Sequence, residues 1–179
     1  MRPDVRDRTL VDAVADGRDE RPDGLHPRRL GQQGAFLDDV GTAAEFNKPV
    51  RTAASPDGTY LFVVDFSNHR IRQIMIATGV VTTLAGGTQG FLDATGTAAQ
   101  FNKPHGIESS LDGTALFVAD MENHRIRSIV VSTGVVTTLA GSNRDYLDGT
   151  GTACKFNFPR GLALSRVQRR HNPLRGGFQ

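Results

Sequence analysis

The sequence predicts an all-β protein made of repeated four-stranded antiparallel sheets, and three features predict it. First, a Phe-Asn-x-Pro segment recurs at a fixed spacing of 55 residues, beginning at Phe46, Phe101 and Phe156. Second, each unit contains short runs rich in strand-forming residues, separated by turn signals. Third, no apolar period of about 3.6 residues runs through the unit. A four-stranded sheet repeated at a fixed period is typical of β-propeller blades.

The second copy shows the four strands most clearly. We expect strands over 106–111, 116–120, 125–131 and 135–140, with an Asp-Gly pair forming the first hairpin. The connection between copies repeats an aromatic residue, an Asp and a Gly, so we expect it to be structured. Its aromatic residues, Phe91 and Tyr146, are expected to pack between neighbouring sheets. A β-solenoid is the alternative fold, but its coils are usually shorter.

The segments around the third strand carry a family resemblance. Leu-Phe-Val-Ala-Asp at 116–120, Asn-His-Arg at 123–125 and Thr-Gly-Val-Val-Thr-Thr-Leu-Ala-Gly at 133–141 have counterparts 55 residues earlier, the first with Val in place of Ala. Together they resemble the NHL repeat, named after Asn-His-Leu, and the resemblance covers about residues 31–164. Arg70 and Arg125 stand where the family name has Leu. The resemblance implies an NHL-type propeller, commonly six-bladed, and proteins of this type often act as binding platforms for protein or RNA.

The repeats occupy only the middle of the chain. We expect blades at about 46–86 and 101–141, with a third beginning at 156. Residues 1–30 hold seven Arg and seven Asp or Glu but no Phe, Tyr, Ile or Trp, which predicts a disordered or non-native segment. Residues 165–179 carry four Arg and no acid, and we expect this basic tail to be disordered as well.

Two blades and part of a third predict an incomplete ring, because propellers close with about 4–8 blades. The sequence favours a truncated or misjoined piece of a longer repeat protein. Self-assembly with further copies, which would complete the ring, and a short open array are the alternatives.

Charge and apolar runs limit the classes of partner. The formal net charge is +2, and removing the four Arg of the tail leaves −2 on the rest, so the repeats themselves argue against nucleic-acid binding. No apolar run is long enough for a signal peptide or a membrane span, so the sequence predicts no membrane partner and names no compartment. The single Cys154 excludes an intramolecular disulfide.

The recurring polar motif is expected to be structural. Asp65 and Asp120 end the second strand of their copies, where a carboxylate can accept N–H groups of the turn or pair with Arg70 and Arg125. The full motif comprises Asp65, Asn68, His69 and Arg70 in one copy, and Asp120, Asn123, His124 and Arg125 in the next.

Metal binding is a weaker interpretation of the same residues. His69 and His124 occupy equivalent positions in successive blades, which a blade rotation separates, so they cannot meet around one ion. Asp38, Asp93 and Asp148 recur singly in the connections, and calcium needs about 6–8 oxygen ligands. For these three carboxylates we expect local Asx turns. The sequence therefore predicts no metal site, no cofactor and no catalytic residue.

Positions that differ between copies are the better candidates for binding. Phe-Asn-x-Pro is followed by Val50-Arg51 in the first copy, His105-Gly106 in the second and Arg160-Gly161 in the third. In a propeller these residues begin the innermost strand, near one mouth of the channel. Variation on a uniform scaffold allows the binding surface to differ from blade to blade. Arg51, His105 and Arg160 are the predicted binding residues.

The sequence thus favours a non-catalytic scaffold that binds protein. One alternative is part of a metal-dependent propeller enzyme, either a lyase or a lactonase-like hydrolase, as the family resemblance suggests. The other alternative is an RNA-binding propeller, which would need Lys and Arg clustered on one face.

Overall fold

The structure, a computed structural model, describes residues 36–165. Within that range the chain is all-β, with short 3₁₀ turns and no α-helix, as the sequence predicts. No helix in this part of the chain is long and apolar enough to cross a membrane. The predictions for residues 1–30 and for the basic tail, of which only Ser165 is included, lie outside the described residues.

Two four-stranded antiparallel sheets make up most of this range, each with its strands in sequence order. Blade one contains β1 (Pro49–Ala54), β2 (Tyr60–Asp65), β3 (Arg70–Met75) and β4 (Val80–Gly86). Blade two contains β5 (Pro104–Ser109), β6 (Ala115–Asp120), β7 (Arg125–Val130) and β8 (Val136–Ala140). The strands of blade two begin and end within two residues of the predicted ones, so the predicted fold class is confirmed.

The predicted Asp-Gly hairpin joins the first two strands of each blade. In blade one the hydroxyl of Ser55 donates a hydrogen bond to Asp57, which also accepts the backbone N–H of Thr59 at 3.0 Å. Gly58 follows with φ +72°, a left-handed conformation that glycine adopts without steric cost. The turn therefore satisfies its own polar groups and fixes the register of the hairpin.

One apolar core joins the two blades. Phe62, Val64 and Ile71 of blade one pack in the same cluster as Leu116 of blade two, and all are fully buried. Phe101, from the recurring Phe-Asn-x-Pro segment, lies in this cluster and is also fully buried. Burial of a side chain of this size contributes roughly 1.5–3 kcal/mol. The blades therefore stabilise each other, and the recurring Phe is explained by packing.

The connection between blades runs along the outer strand of the next blade. Its 3₁₀ turn, Gly96–Ala98, lies against the β7–β8 turn, where the backbone N–H of Gly96 donates to the carbonyl of Gly134 at 2.9 Å. The connection is structured, as expected. The expectation that its aromatic residue packs between sheets is wrong, because Phe91 is 45% exposed and Tyr146 is 82% exposed.

The third copy forms no strand within the described residues up to 165. Its first segment nevertheless packs on blade two, because the carbonyl of Arg160 lies against the Cα of Gly106, where a Cβ would clash with it. Cys154, just before this segment, is buried like its equivalent Ala99. The two sheets do not close into a ring.

Candidate binding surface

The recurring Asp of the motif is the centre of a buried hydrogen-bond network. Asp65 ends β2 with no exposed surface. Its carboxylate accepts the backbone N–H of Asn47 at 2.7 Å, the side-chain amide of Asn68 at 2.9 Å and the guanidinium of Arg72 at 3.1 Å. Asp120 accepts the same three contacts in blade two, from Asn102, Asn123 and Arg127.

The arginine that pairs with this carboxylate is not the one that the sequence suggested. Asp65 was expected to pair with Arg70, or with N–H groups of its own turn, but its ion-pair partner is Arg72 and its backbone donor precedes β1. Asp120 likewise pairs with Arg127 and not with Arg125. In a strand, residues two apart share a face, so both arginines of each pair project the same way and their neighbours decide which one is buried.

Arg72 also ties the preceding connection to blade one. Its fully buried guanidinium donates to the carbonyls of Leu37 and Glu45 at 2.8 and 2.9 Å and pairs with Asp38 at 2.7 Å. Arg127 does the same in blade two with Leu92, Gln100 and Asp93. A buried charge is tolerated only when it is paired and hydrogen-bonded, and these arginines meet that condition with two carboxylates each.

The recurring carboxylates of the connection serve this network as well. Asp38 accepts the backbone N–H and the hydroxyl of Thr83 in addition to its ion pair with Arg72. Asp93 makes the same contacts with Thr138 and Arg127. The Asx-turn interpretation of Asp38 and Asp93 is therefore wrong, since their bonds are made with a distant strand. The recurrence of Asp pointed to a shared role, but both arginines recur at the same period, so the sequence did not identify which one it pairs with.

Arg70 and Arg125 lie on top of the connection aromatics. The guanidinium of Arg70 is 3.5 Å from the ring centre of Phe36, and that of Arg125 is 3.9 Å from the ring centre of Phe91. Arg70 also donates to the carbonyl of Gly86 at 3.0 Å. These contacts are cation–π stacks that hold the preceding connection against the third strand of each blade.

His69 and His124 each accept a hydrogen bond from the next copy of the repeat, a contact that we call the histidine clasp. Both have φ +56°, and Nδ1 of His69 accepts the backbone N–H of Lys103, at 3.0 Å, from the next blade. Nδ1 of His124 accepts the N–H of Phe158 at 3.2 Å. The backbones of Lys103 and Phe158 also lie in the left-handed region, which directs their N–H groups towards the histidine rings. A ring that accepts at Nδ1 must be neutral, with its proton on Nε2.

Burial shifts the pKa values of the motif towards the neutral forms of its side chains. Desolvation lowers the pKa of His69, and the positive charges of Lys103 and Arg70 lower it further. Desolvation raises the pKa of Asp120, while Asn123, the N–H of Asn102 and Arg127 act in the opposite direction. The imidazole is therefore held neutral, and the carboxylate depends on its donors to stay charged.

The structure brings together two of the three predicted binding residues. Nδ1 of His105 lies 3.1 Å from the carbonyl oxygen of Arg160, and its ring meets Phe66 of blade one edge-on at 6.3 Å. Arg51 lies on β1, the neighbouring inner strand, and no hydrogen bond or ion pair joins it to the other two. Arg51 and Arg160 are exposed, and His105 is half-buried.

Both inner strands have a register irregularity, at Arg51 in β1 and around His105 in β5. The pairing of β1 with β2 shifts between Pro49 and Arg51, and that of β5 with β6 shifts between Pro104 and Ile107. Bulges of this kind re-aim side chains and are common next to functional sites. Within residues 36–165, no group of three or more His, Cys, Asp or Glu side chains is arranged to hold a metal ion.

Comparison with known proteins identifies similar repeats in longer chains. No family model matches the chain. It is 31% identical over 105 residues to NHL repeat-containing protein 2 of Gallus gallus and 32% identical over 105 residues to that of Homo sapiens. These alignments cover 59% and 58% of this chain but only 14% of each relative. It is also 36% identical over 98 residues to SUPPRESSOR OF QUENCHING 1, a chloroplastic protein of Arabidopsis thaliana, covering 54% of this chain and 9% of that one.

Solved structures agree with the fold. The chain superposes with a TM-score of 0.55 on an auxiliary nutrient binding protein of Bacteroides thetaiotaomicron, at 24% identity over 62% of this chain and 31% of that one. A protein of unknown function from the same organism gives a TM-score of 0.57 at 20% identity, covering 73% of this chain and 32% of that one. At these identities the likeness supports the fold alone.

Proposed function

We propose that this chain, whose repeats are similar to those of NHL repeat-containing protein 2 and whose sheets match those of a solved structure in fold, is a non-catalytic binding scaffold for protein partners. Its binding residues are Arg51, His105 and Arg160. They lie at the inner-strand end, which we define as the end of both sheets where β1 and β5 begin.

One observation supports this proposal most. The repeated polar residues that could do acid–base chemistry are engaged in bonds within the fold: the carboxylates of Asp65 and Asp120 with arginines, and the rings of His69 and His124 with the next blade. The residues that differ between copies are instead exposed or half-buried at one end of the sheets. A rigid scaffold with variable exposed positions suits recognition.

Affinity capture on the full chain tests the proposal. Wild type would be compared with a variant carrying Arg51→Glu, His105→Glu and Arg160→Glu, and with a control carrying Ala77→Glu and Ser132→Glu in the exposed β3–β4 and β7–β8 turns of the opposite end. We expect one set of proteins, identified by quantitative mass spectrometry, to be retained by wild type and control but not by the triple variant. Retention that is the same for all three would overturn the proposal.

Metal analysis of the same purified protein addresses the enzyme alternative. Stoichiometric Zn²⁺ or Ca²⁺ in the purified chain, lost together with His105 in a His105→Ala variant, would favour a metal-dependent enzyme over a scaffold. We expect the metal content of wild type and variant to be equal.

A further inference from the structure

Among the described residues, the Lys and Arg side chains are concentrated at one end of the sheets. Since the strands are antiparallel, β1 and β3 begin at the end where β2 and β4 finish, and blade two repeats this arrangement. Lys and Arg residues cluster at this inner-strand end: Lys48, Arg51, Arg70, Arg72, Lys103, Arg125, Arg127, Arg144 and Arg160.

The opposite end has no Lys or Arg in its turns. Residues 55–59, 76–79, 110–114 and 131–135 connect the strands there, and their only charged side chains are Asp57 and Asp112. Hydrogen bonds from the neighbouring Ser and Thr lower the pKa of Asp57 and bring that of Asp112 to about 2, so both are ionised at neutral pH. Within residues 36–165, the turns of this opposite end therefore carry only negative charge, whereas unpaired cations lie at the inner-strand end.

Part of the positive charge at the inner-strand end is not used by the fold. Arg72 and Arg127 are buried in ion pairs, and Lys103 pairs with Glu122 at 3.5 Å. Lys48, Arg51 and Arg160 are exposed, and within residues 36–165 the structure gives none of them an ion pair. The acids that accompany these cations are mostly paired already: Asp38 and Asp65 with Arg72, Asp93 and Asp120 with Arg127, Glu122 with Lys103, and Asp145 with Lys155. Exposed Glu45 has no ion pair within residues 36–165, so the three unpaired cations outnumber it.

From this separation we propose that the inner-strand end binds an acidic peptide segment, an extended run of Asp and Glu side chains. The inference rests on the proposed scaffold function and specifies its partner. Arginine guanidinium groups match the geometry of carboxylates and bind them in a bidentate manner. Because the opposite end is anionic, it repels the same partner and orients its approach.

Two of the three connection aromatics, Phe36 and Phe91, already stack with cations while Tyr146 is 82% exposed, and this favours a peptide over single-stranded RNA. RNA platforms stack bases on free aromatic faces. Phe36 and Phe91 already have the guanidinium groups of Arg70 and Arg125 over their rings, at 3.5 and 3.9 Å. A few unpaired cations also fall short of the row of phosphate contacts that gives nucleic-acid binding its affinity.

The test is fluorescence anisotropy with a labelled octaglutamate peptide and the full chain. The variant Arg51→Gln with Arg160→Gln removes two charges from the inner-strand end. The matched control, Ala77→Glu with Ser132→Glu, makes the same change in net charge at exposed positions of the opposite end. All four substitutions are at exposed sites, and equal unfolding midpoints would show that each variant is folded.

We expect wild type to bind the peptide, the first variant to raise the Kd at least about tenfold and the control to raise it less than about twofold, because contact at the surface outweighs net charge. Binding should weaken as salt rises from about 0.05 to about 0.5 M, since exposed charges are screened. Absence of binding, or equal weakening by both variants, would overturn the inference. Tighter binding of a labelled octauridylate than of the peptide would also overturn it, in favour of RNA.

Failure here is distinguishable from failure of the scaffold function. If capture depends on Arg51 and Arg160 but the captured proteins bind without an acidic segment, the scaffold stands and the acidic specificity falls. If capture is independent of the inner-strand end, the scaffold function itself falls.

Discussion

The motif network and the inner-strand end differ in how they vary between blades. Around Asp65 and Asp120 the two blades repeat the same donors, with distances that differ by at most 0.3 Å. At the start of the inner strands, Val50 of blade one is replaced by His105 in blade two. The repeated residues are buried and bonded, and the variable ones reach solvent. Repetition in this chain therefore marks what each blade needs to fold, and variation marks what is left for binding.

The sharpest test of this contrast removes a buried member of the network. Arg127→Met leaves Asp120 as an uncompensated buried carboxylate, so we expect a loss of about 3–5 kcal/mol in the free energy of unfolding, measured by denaturant titration. Arg144→Met is the control, because Arg144 is exposed and its contacts, a hydrogen bond to the side chain of Asn157 and a cation–π contact with Phe158 at 4.9 Å, involve no carboxylate. Equal stability of the two variants would contradict the assignment.

A second variant keeps this prediction testable if Arg127→Met does not fold. Combining it with Asp120→Leu removes both buried charges, and an apolar pair of similar volume is often close to neutral in stability. We expect the double variant to be more stable than Arg127→Met alone. A double variant that is less stable would assign the loss to packing and not to the unpaired charge.

A glycine at the boundary of blade one gives the next largest effect. Gly86 has φ +95°, and a Cβ there would clash with the carbonyl of His69 and lie 2.9 Å from the Cα of Arg70. Gly86→Ala should therefore cost about 1–3 kcal/mol or more through overpacking, with backbone strain added. Gly161→Ala serves as the control, since nothing lies within 4 Å of its added Cβ. Similar unfolding curves for the two variants would show that this close approach is absent in solution.

Much of this contrast was readable from the sequence, and some was not. Fixed spacing and turn residues predicted the strands because hairpin register follows from local chemistry. The choice of Arg72 over Arg70 depends on which side chain the folded connection covers, and no local pattern records that. The clasp from His69 to Lys103 joins residues 34 positions apart and depends on left-handed backbone at both. The expected structural role of His69 agrees with this contact, but its partner required the three-dimensional arrangement.

The two histidine clasps predict a dependence of stability on pH. Desolvation lowers the pKa of His69 and His124 below the ordinary value of 6.5, so the folded state takes up protons less readily than the unfolded state. The two histidines therefore make their full contribution to the free energy of unfolding above about pH 6.5, the pKa of histidine in the unfolded chain. This contribution is lost as the pH falls towards the lowered pKa values of the folded state.

The test compares wild type with a His69→Asn and His124→Asn double variant between about pH 7.5 and pH 5. Asparagine can keep the left-handed backbone but does not titrate. We expect the free energy of unfolding of wild type to fall more steeply on acidification than that of the variant. Both proteins keep Asp65 and Asp120, so the contribution of these carboxylates cancels in the difference between the two curves of stability against pH. Parallel curves would show that the rings do not act as neutral acceptors.

The smallest expected effect comes from an ion pair that only one blade has. Lys103 pairs with Glu122 at 3.5 Å, and the side chains are 44% and 31% exposed. The position of Glu122 is occupied by Ser67 in blade one, so this pair is not part of what the repeat requires. Glu122→Gln should change the free energy of unfolding by less than about 1 kcal/mol, because solvent screens a pair at this exposure. A larger loss in the free energy of unfolding would show that this pair stabilises the blade as the repeated network does. A small loss, together with tighter binding of octaglutamate by the variant, would show that Lys103 is part of the binding surface.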